Sequence, residues 1–151
     1  MKPLLVLLSS FVIALFMVKI VKREYDVALS ARIGMAIMLC FTALGHFLFT
    51  KGMAMMVPPF IPFKTTLVHI TGIFEVLLAM GLLIPKFQRI SGWALLIFLI
   101  LMLPANIYAA IHHINYQKGT FDGNGSSYLW FRIPLQLLFM VWTYLSAIRM
   151  P

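Results

Sequence analysis

Five uninterrupted apolar runs, residues 4–21, 27–49, 65–84, 91–111 and 128–148, take up most of this 151-residue chain. Each is close to the ~20 residues that a helix needs to cross a bilayer. A helix also satisfies its own backbone hydrogen bonds, which hydrocarbon demands. Barrel strands are disfavoured, because the runs lack the alternation of apolar and polar residues that a barrel requires. Composition agrees: 62% of the residues are hydrophobic, only 11% are charged, and the mean hydropathy is +0.98, far from a soluble domain. The expectation is an all-α integral membrane protein with five transmembrane segments, short connections and no soluble domain. Residues 1–26 read as an N-terminal transmembrane anchor with a basic connection, and residues 27–151 as a four-helix transmembrane bundle. No internal repeat or low-complexity stretch suggests an array.

The chain has twelve Lys and Arg against four Asp and Glu. A nucleic-acid surface would collect such charges on one face, whereas here they lie mainly at the ends of the runs and mark topology. Lys19, Lys22, Arg23, Arg32, Lys86, Arg89 and Arg149 fall on one side. Lys2, Lys51, Lys64, Lys118 and Arg132 fall on the other. The positive-inside rule then puts the N-terminus outside and the C-terminus in the cytoplasm of a bacterial-type plasma (inner) membrane. A cleaved signal peptide is the alternative for the first run, since Lys2 precedes a stretch of suitable length. The lack of a small-x-small cleavage site and the basic flank from Lys19 to Arg23 favour a retained anchor.

Glu75 sits near the middle of the third run, roughly 15 Å from either surface at ~1.5 Å rise per residue. An ionisable residue at that depth is costly unless another helix answers it, and it marks a functional site by default. Because successive helices alternate direction, His46, His69, Asn106, Arg132 and Gln136 all fall in the same leaflet, with Glu75 at the bottom of the set. Arg132 and Glu75 differ in depth by roughly 9 Å, a gap that two long side chains bridge if they share an interior face. Two readings follow. The network is a structural ion pair with amides that fix helix register, or it lines a polar chamber that binds a lipid-soluble head group or relays protons.

His46 and His69 come from consecutive helices at matching depth. That geometry would suit haem or a metal, but no third ligand has metal-site spacing, so hydrogen bonding within the chamber is the better reading. His112 and His113 read as boundary residues at the end of the fourth run. The single cysteine, Cys40, rules out a dithiol relay and reads as a small core residue. No P-loop, dinucleotide-binding glycine fingerprint or His-Glu-x-x-His helix occurs. The connection 50–64 is greasy, with Met53, Met55, Met56, Phe60 and Phe63, and it carries Pro58, Pro59 and Pro62. It is expected to form a rigid, non-helical cap at the outer interface, contacting lipid or covering the chamber, with a purely structural interfacial loop as the alternative. The connection 115–127 is polar and glycine-rich and should be mobile.

Five motifs occur in order along residues 32–148. They are Gly45-His46-Phe47; Val57-Pro58-Pro59-Phe60-Ile61-Pro62; His69 followed by Gly72 and Glu75; Pro104-Ala105-Asn106; and Arg132-Ile133-Pro134-Leu135-Gln136. Together they resemble the DoxX-like membrane proteins. The resemblance implies a four-helix transmembrane core to which the first run is an addition. The family's namesake resembles the membrane subunit of a thiosulfate:quinone oxidoreductase, and other relatives look like accessory components of redox complexes or assembly factors. Methylamine-utilisation relatives are associated with disulfide chemistry, from which the lone Cys40 departs. The expected function is therefore a chamber that binds a quinone-like or other lipid-soluble molecule as an accessory component, or a subunit, of a redox system. Arg132, Gln136 and Asn106 would donate to carbonyl oxygens, Glu75 and His69 would handle protons, and His46 would close the mouth. The alternative is a non-enzymatic assembly or interaction protein with a structural Glu75 and Arg132 network. Small-solute transport is disfavoured by the small bundle without paired repeats.

Overall fold

The computed structural model describes residues 2–150. Among them the chain is all-helical: α1 (Lys2–Lys22), α2 (Val27–Leu48), α3 (Thr50–Met56), α4 (Lys64–Leu83), α5 (Gln88–Ile111) and α6 (Ser126–Thr143), which runs on into a π-helical turn, Tyr144–Arg149. Five of these helices, counting α6 with its π turn as one, are long and apolar enough to cross a membrane. Their limits lie within a few residues of the apolar runs.

Local chemistry sets the boundaries. Asp26 caps α2, its carboxylate accepting from the Leu29 amide at 2.9 Å while Lys22 pairs with it at 3.1 Å. The Leu29 N–H, aided by Lys22 and opposed by partial burial, holds the Asp26 carboxyl below its usual range. Phe63, in the left-handed region at φ 54°, turns the chain into α4. The prolines behave in two ways. Pro58, Pro59 and Pro62 follow α3 and prevent its continuation, whereas Pro104 and Pro134 lie inside α5 and α6, where each leaves the carbonyl four residues back without its helical donor.

Packing follows the helical period. The buried positions of α4, including Val68, Gly72, Glu75, Ala79 and Leu82, form one stripe at spacings of three and four. On α1 the stripe is Leu7, Ser10, Ala14 and Val18. It meets α2 closely enough that a Cβ on Gly34 would stand 3.1 Å from the Phe11 Cβ, the small-residue packing typical of apolar helix pairs. Leu7, Met35, Leu78, Leu82, Leu95 and Phe139 belong to the central core. Large apolar side chains such as Ile20, Val21, Ile90 and Leu101 remain exposed on the outer faces.

One end of the bundle is tied by hydrogen bonds to the last carbonyls of the chain. The Arg32 guanidinium, 8% exposed, donates to Ser146 O at 2.8 Å and Met150 O at 3.2 Å. Gln88 Nε2 donates to Ala147 O at 3.1 Å, and Trp142 Nε1 donates to Ala31 O at 3.0 Å. Arg32 therefore caps a helix C-terminus, where the exposed carbonyls and the helix dipole favour a cation. Its charge is buried in the fold and does not stand at the surface of the first connection.

Three sequence expectations need correction here. The 50–64 connection is not wholly non-helical, because its first seven residues form α3 and the irregular chain begins at Val57. None of the three prolines lies within 50–56, so nothing prevents those roughly two turns of helix. Cys40 is exposed on the outer face of α2 rather than packed in the core. It lies two residues from Thr42, about 200° around a 3.6-residue helix, and so points away from the face that Thr42 uses. The third correction, the partner of Glu75, belongs to the site itself.

Candidate functional site

At the end opposite the Arg32 tie, α2, α4, α5 and α6 enclose a cavity of about 650 Å³, which α3 and the segment after it help to line. Most of its wall is apolar, with Met38, Phe41, Met53, Met56, Met102 and Phe139 among the larger side chains. Leu44 and Leu48, both exposed on the bundle's outer face, also contribute to the wall, as do Lys2 and Pro3 at the start of α1. Gly52 seats α3: a Cβ there would collide with the Tyr116 carbonyl, so only glycine permits this approach.

Glu75 is 7% exposed and faces into the cavity from α4. Its partners both come from α2. Thr42 Oγ1 lies 3.0 Å from Glu75 Oε2, and His46 Nε2 lies 3.6 Å from Glu75 Oε1. This overturns the expected pairing with Arg132, since no carboxylate lies within 4.0 Å of Arg132 in the three ion pairs of the described residues. The reason is helical phase. Thr42 and His46 are one turn apart on α2, as Thr71 and Glu75 are on α4, and the two faces meet across Gly72. A Cβ on Gly72 would stand 2.8 Å from the His46 Cβ.

Hydrogen counting constrains this pair. His46 Nδ1 is 3.0 Å from Val68 O and 3.0 Å from Thr71 Oγ1. Thr71 Oγ1 also reaches Val68 O at 2.9 Å, so Nδ1 either carries a hydrogen aimed at that carbonyl or accepts the Thr71 hydroxyl hydrogen; the first tautomer is the one that leaves Nε2 free to exchange a proton. Nε2 then meets Glu75 either as an N–H facing a carboxylate or as a bare nitrogen facing a carboxylic acid. The two states differ in the position of one proton. Thr42 adds a second adjustable hydrogen, because its hydroxyl is also 3.0 Å from Leu39 O and can turn to either acceptor.

The other polar residues form a separate group on α5 and α6. Asn106 Nδ2 donates to Gln136 Oε1 at 3.5 Å, and Tyr128 Oη donates to Asn106 Oδ1 at 3.4 Å. Gln136 Nε2 donates to the Leu99 carbonyl, next to the Ile100 carbonyl whose helical donor Pro104 removes. The Arg132 guanidinium carbon lies 5.1 Å from the Tyr128 ring centre and 5.9 Å from that of Tyr116, both within cation–π range.

Five of the six residues singled out from the sequence therefore line one cavity: His46, Glu75, Asn106, Arg132 and Gln136. His69 does not. It follows Val68 by one residue and so turns about 100° off the cavity face, where its ring stacks on Phe47 at 5.5 Å and its Nε2 lies 3.2 Å from Thr50 Oγ1. His112 stacks on Tyr108 at 4.0 Å near the end of α5. Sequence reasoning passed over Thr42, Thr71, Tyr116 and Tyr128. For the threonines and Tyr128 the signal was present, since each stands four residues before an ionisable residue on its own helix. No group of three or more His, Cys, Asp or Glu with metal-holding geometry occurs among the described residues.

No curated protein and no solved structure matches the chain. A family model does, over residues 35–147, from part-way along α2 to the π turn and without α1. With well over half of its length matched, and all four cavity walls inside that match, the chain belongs to the family described as Domain of unknown function (DUF8561).

Proposed function

We propose that the protein spans a bacterial-type inner membrane as a four-helix core, α2 and α4 to α6, with α1 as an added N-terminal transmembrane helix. In this reading the cavity binds a quinone-like or other lipid-soluble molecule, and the protein serves as an accessory component of a redox system. The N-terminus is outside and the C-terminus cytoplasmic, so the cavity lies in the outer leaflet. Kinship with the DoxX-like proteins is part of the same proposal, resting on the five ordered motifs.

The observation that carries the reading is the cavity's division of labour. A volume of about 650 Å³ and a largely apolar wall suit a small hydrophobic molecule, and a few convergent polar groups suit its head. His46 and Glu75 stand 3.6 Å apart there, and an imidazole beside a carboxylate is the kind of pair that can give or take the proton that reduction or oxidation of a quinone head needs beside its oxygen. His46 takes the proton-handling place that His69 was expected to fill. Gln136 and Asn106 hold Tyr128 and the α5 backbone, and so shape the far wall. The test is titration of the detergent-solubilised protein with decylubiquinone, for wild type and Glu75→Gln. Saturable binding that weakens about tenfold in the variant is expected, the size of one lost hydrogen bond to a charged group. No binding, or equal binding by both proteins, refutes the proposal.

One observation favours the non-enzymatic alternative: Glu75 already has two protein partners, Thr42 and His46. If the role is only to lock α2 against α4 in an assembly or interaction protein, Glu75→Gln lowers stability and leaves no ligand effect to measure.

A further inference from the structure

Arg132 is a cationic group on the cavity wall that no side-chain carboxylate among the described residues answers. The chain has four acidic residues, and Asp26, Glu75 and Asp122 are engaged with Lys22, His46 and Lys118 respectively. The fourth, Glu24, lies in the connection between α1 and α2, at the tied end of the bundle. Arg132 sits about 9 Å into α6 from Ser126 at ~1.5 Å per residue, partly buried, with the faces of Tyr116 and Tyr128 beside its guanidinium. Those rings orient the fork without neutralising it, because a ring face supplies a quadrupole and no formal charge. Lys2 adds a second cation to the same wall. The cavity thus has an apolar body, the His46–Glu75 pair on one side and a guanidinium without a carboxylate partner on the other.

We propose that Arg132 binds the oxyanion head, carboxylate or phosphate, of an acyl-chain ligand whose chain lies along the Met- and Phe-lined wall of the cavity. This rests on the reading of the cavity as a ligand site and names the class of ligand it takes. A planar guanidinium meets two oxygens of such a head at once, a geometry that lysine lacks. Burial away from bulk water strengthens the pairing relative to an exposed ion pair. Leu44 and Leu48, exposed on the outer face and part of the cavity wall, mark the side from which a chain would enter.

The test uses the full chain in dodecyl maltoside, with binding measured for oleate, phosphatidylglycerol, oleyl alcohol and inorganic phosphate. Oleate or phosphatidylglycerol should bind at least about tenfold more tightly than oleyl alcohol, and phosphate alone should not compete at equal concentration. The stronger of the two anionic amphiphiles identifies the head. Arg132→Gln should abolish the preference over the alcohol, and Arg132→Lys should keep part of it. Equal affinity of wild type for oleate, phosphatidylglycerol and oleyl alcohol overturns the proposal without any variant, as does an unchanged preference in a folded Arg132→Gln. Decylubiquinone separates the two readings. If it binds in a Glu75-dependent way while the anion preference is absent, only this inference falls. If oleate binds through Arg132 and no quinone binds, the quinone reading falls and this one stands.

Discussion

Gly72→Ala tests whether the α2–α4 contact places the His46–Glu75 pair. The added methyl would stand 2.8 Å from the His46 Cβ and 3.2 Å from Phe47 Cε2. The nearer atom is fixed to the α2 backbone, so relief requires the helices to separate by several tenths of an ångström. The His46–Glu75 separation is already 3.6 Å, and little widening is needed to break it. Overpacking of this kind costs about 1–3 kcal/mol, partly offset by the ~1 kcal/mol that alanine gains over glycine within a helix. Gly45→Ala supplies the control. It places a methyl on α2 one residue from His46, but its nearest neighbour is the flexible end of Met53 at 3.4 Å. The propensity gain is common to both variants, so their difference isolates the contact: Gly72→Ala should be less stable than Gly45→Ala by about 1–3 kcal/mol. Unfolding by SDS titration in mixed micelles measures this. Equal stability of the two variants would refute the idea that Gly72 seats His46.

Arg32→Met should destabilise the fold by about 2–4 kcal/mol in the same assay, since it removes charge-assisted bonds to two terminal carbonyls. It should also be non-additive with Gln88→Leu, because both side chains cap the same π turn. Asp26→Ala should cost about 1 kcal/mol near neutral pH through loss of the α2 cap. The folded Asp26 carboxyl ionises more readily than the unfolded one, so its contribution is complete above its ordinary value of 3.8 and is lost as pH falls through the lower folded value. Below that point wild type and Asp26→Ala should converge in stability, whereas Asp26→Asn should show no such titration.

Much of the fold was legible because bilayer-length apolar runs leave a chain few alternatives, and the five long helices fall where hydrophobicity puts them. The inward placement of Glu75 was also legible, from the cost of turning a carboxylate outward among Ile73, Phe74 and Leu77. Its partner was not. Depth along a helix follows from residue counting, but rotation about the axis depends on packing. That rotation brings Thr42 and His46 to Glu75, turns Arg132 toward two tyrosines, and leaves His69 on the flank. Tyr128 stands four residues before Arg132 on α6, a spacing that the sequence did offer, whereas Tyr116 had no legible link, because it comes from the 115–127 connection, whose path depends on the close seat of Gly52 against it. Arg32 was misread for a related reason: an arginine near a helix end looks like a topology marker until the terminal carbonyls it caps are seen.

The most direct measurement is native mass spectrometry of the full chain released from mild detergent, comparing wild type with Ala105→Trp. Ala105 lines the cavity from α5 without touching Glu75, His46 or Arg132 through any hydrogen bond, so a bulky side chain there occupies the space and leaves the polar groups in place. A lipid-soluble mass retained by wild type and absent from a folded Ala105→Trp is expected if the cavity is a binding site. A wild-type protein that carries no such mass, or equal retention by both proteins, would contradict it.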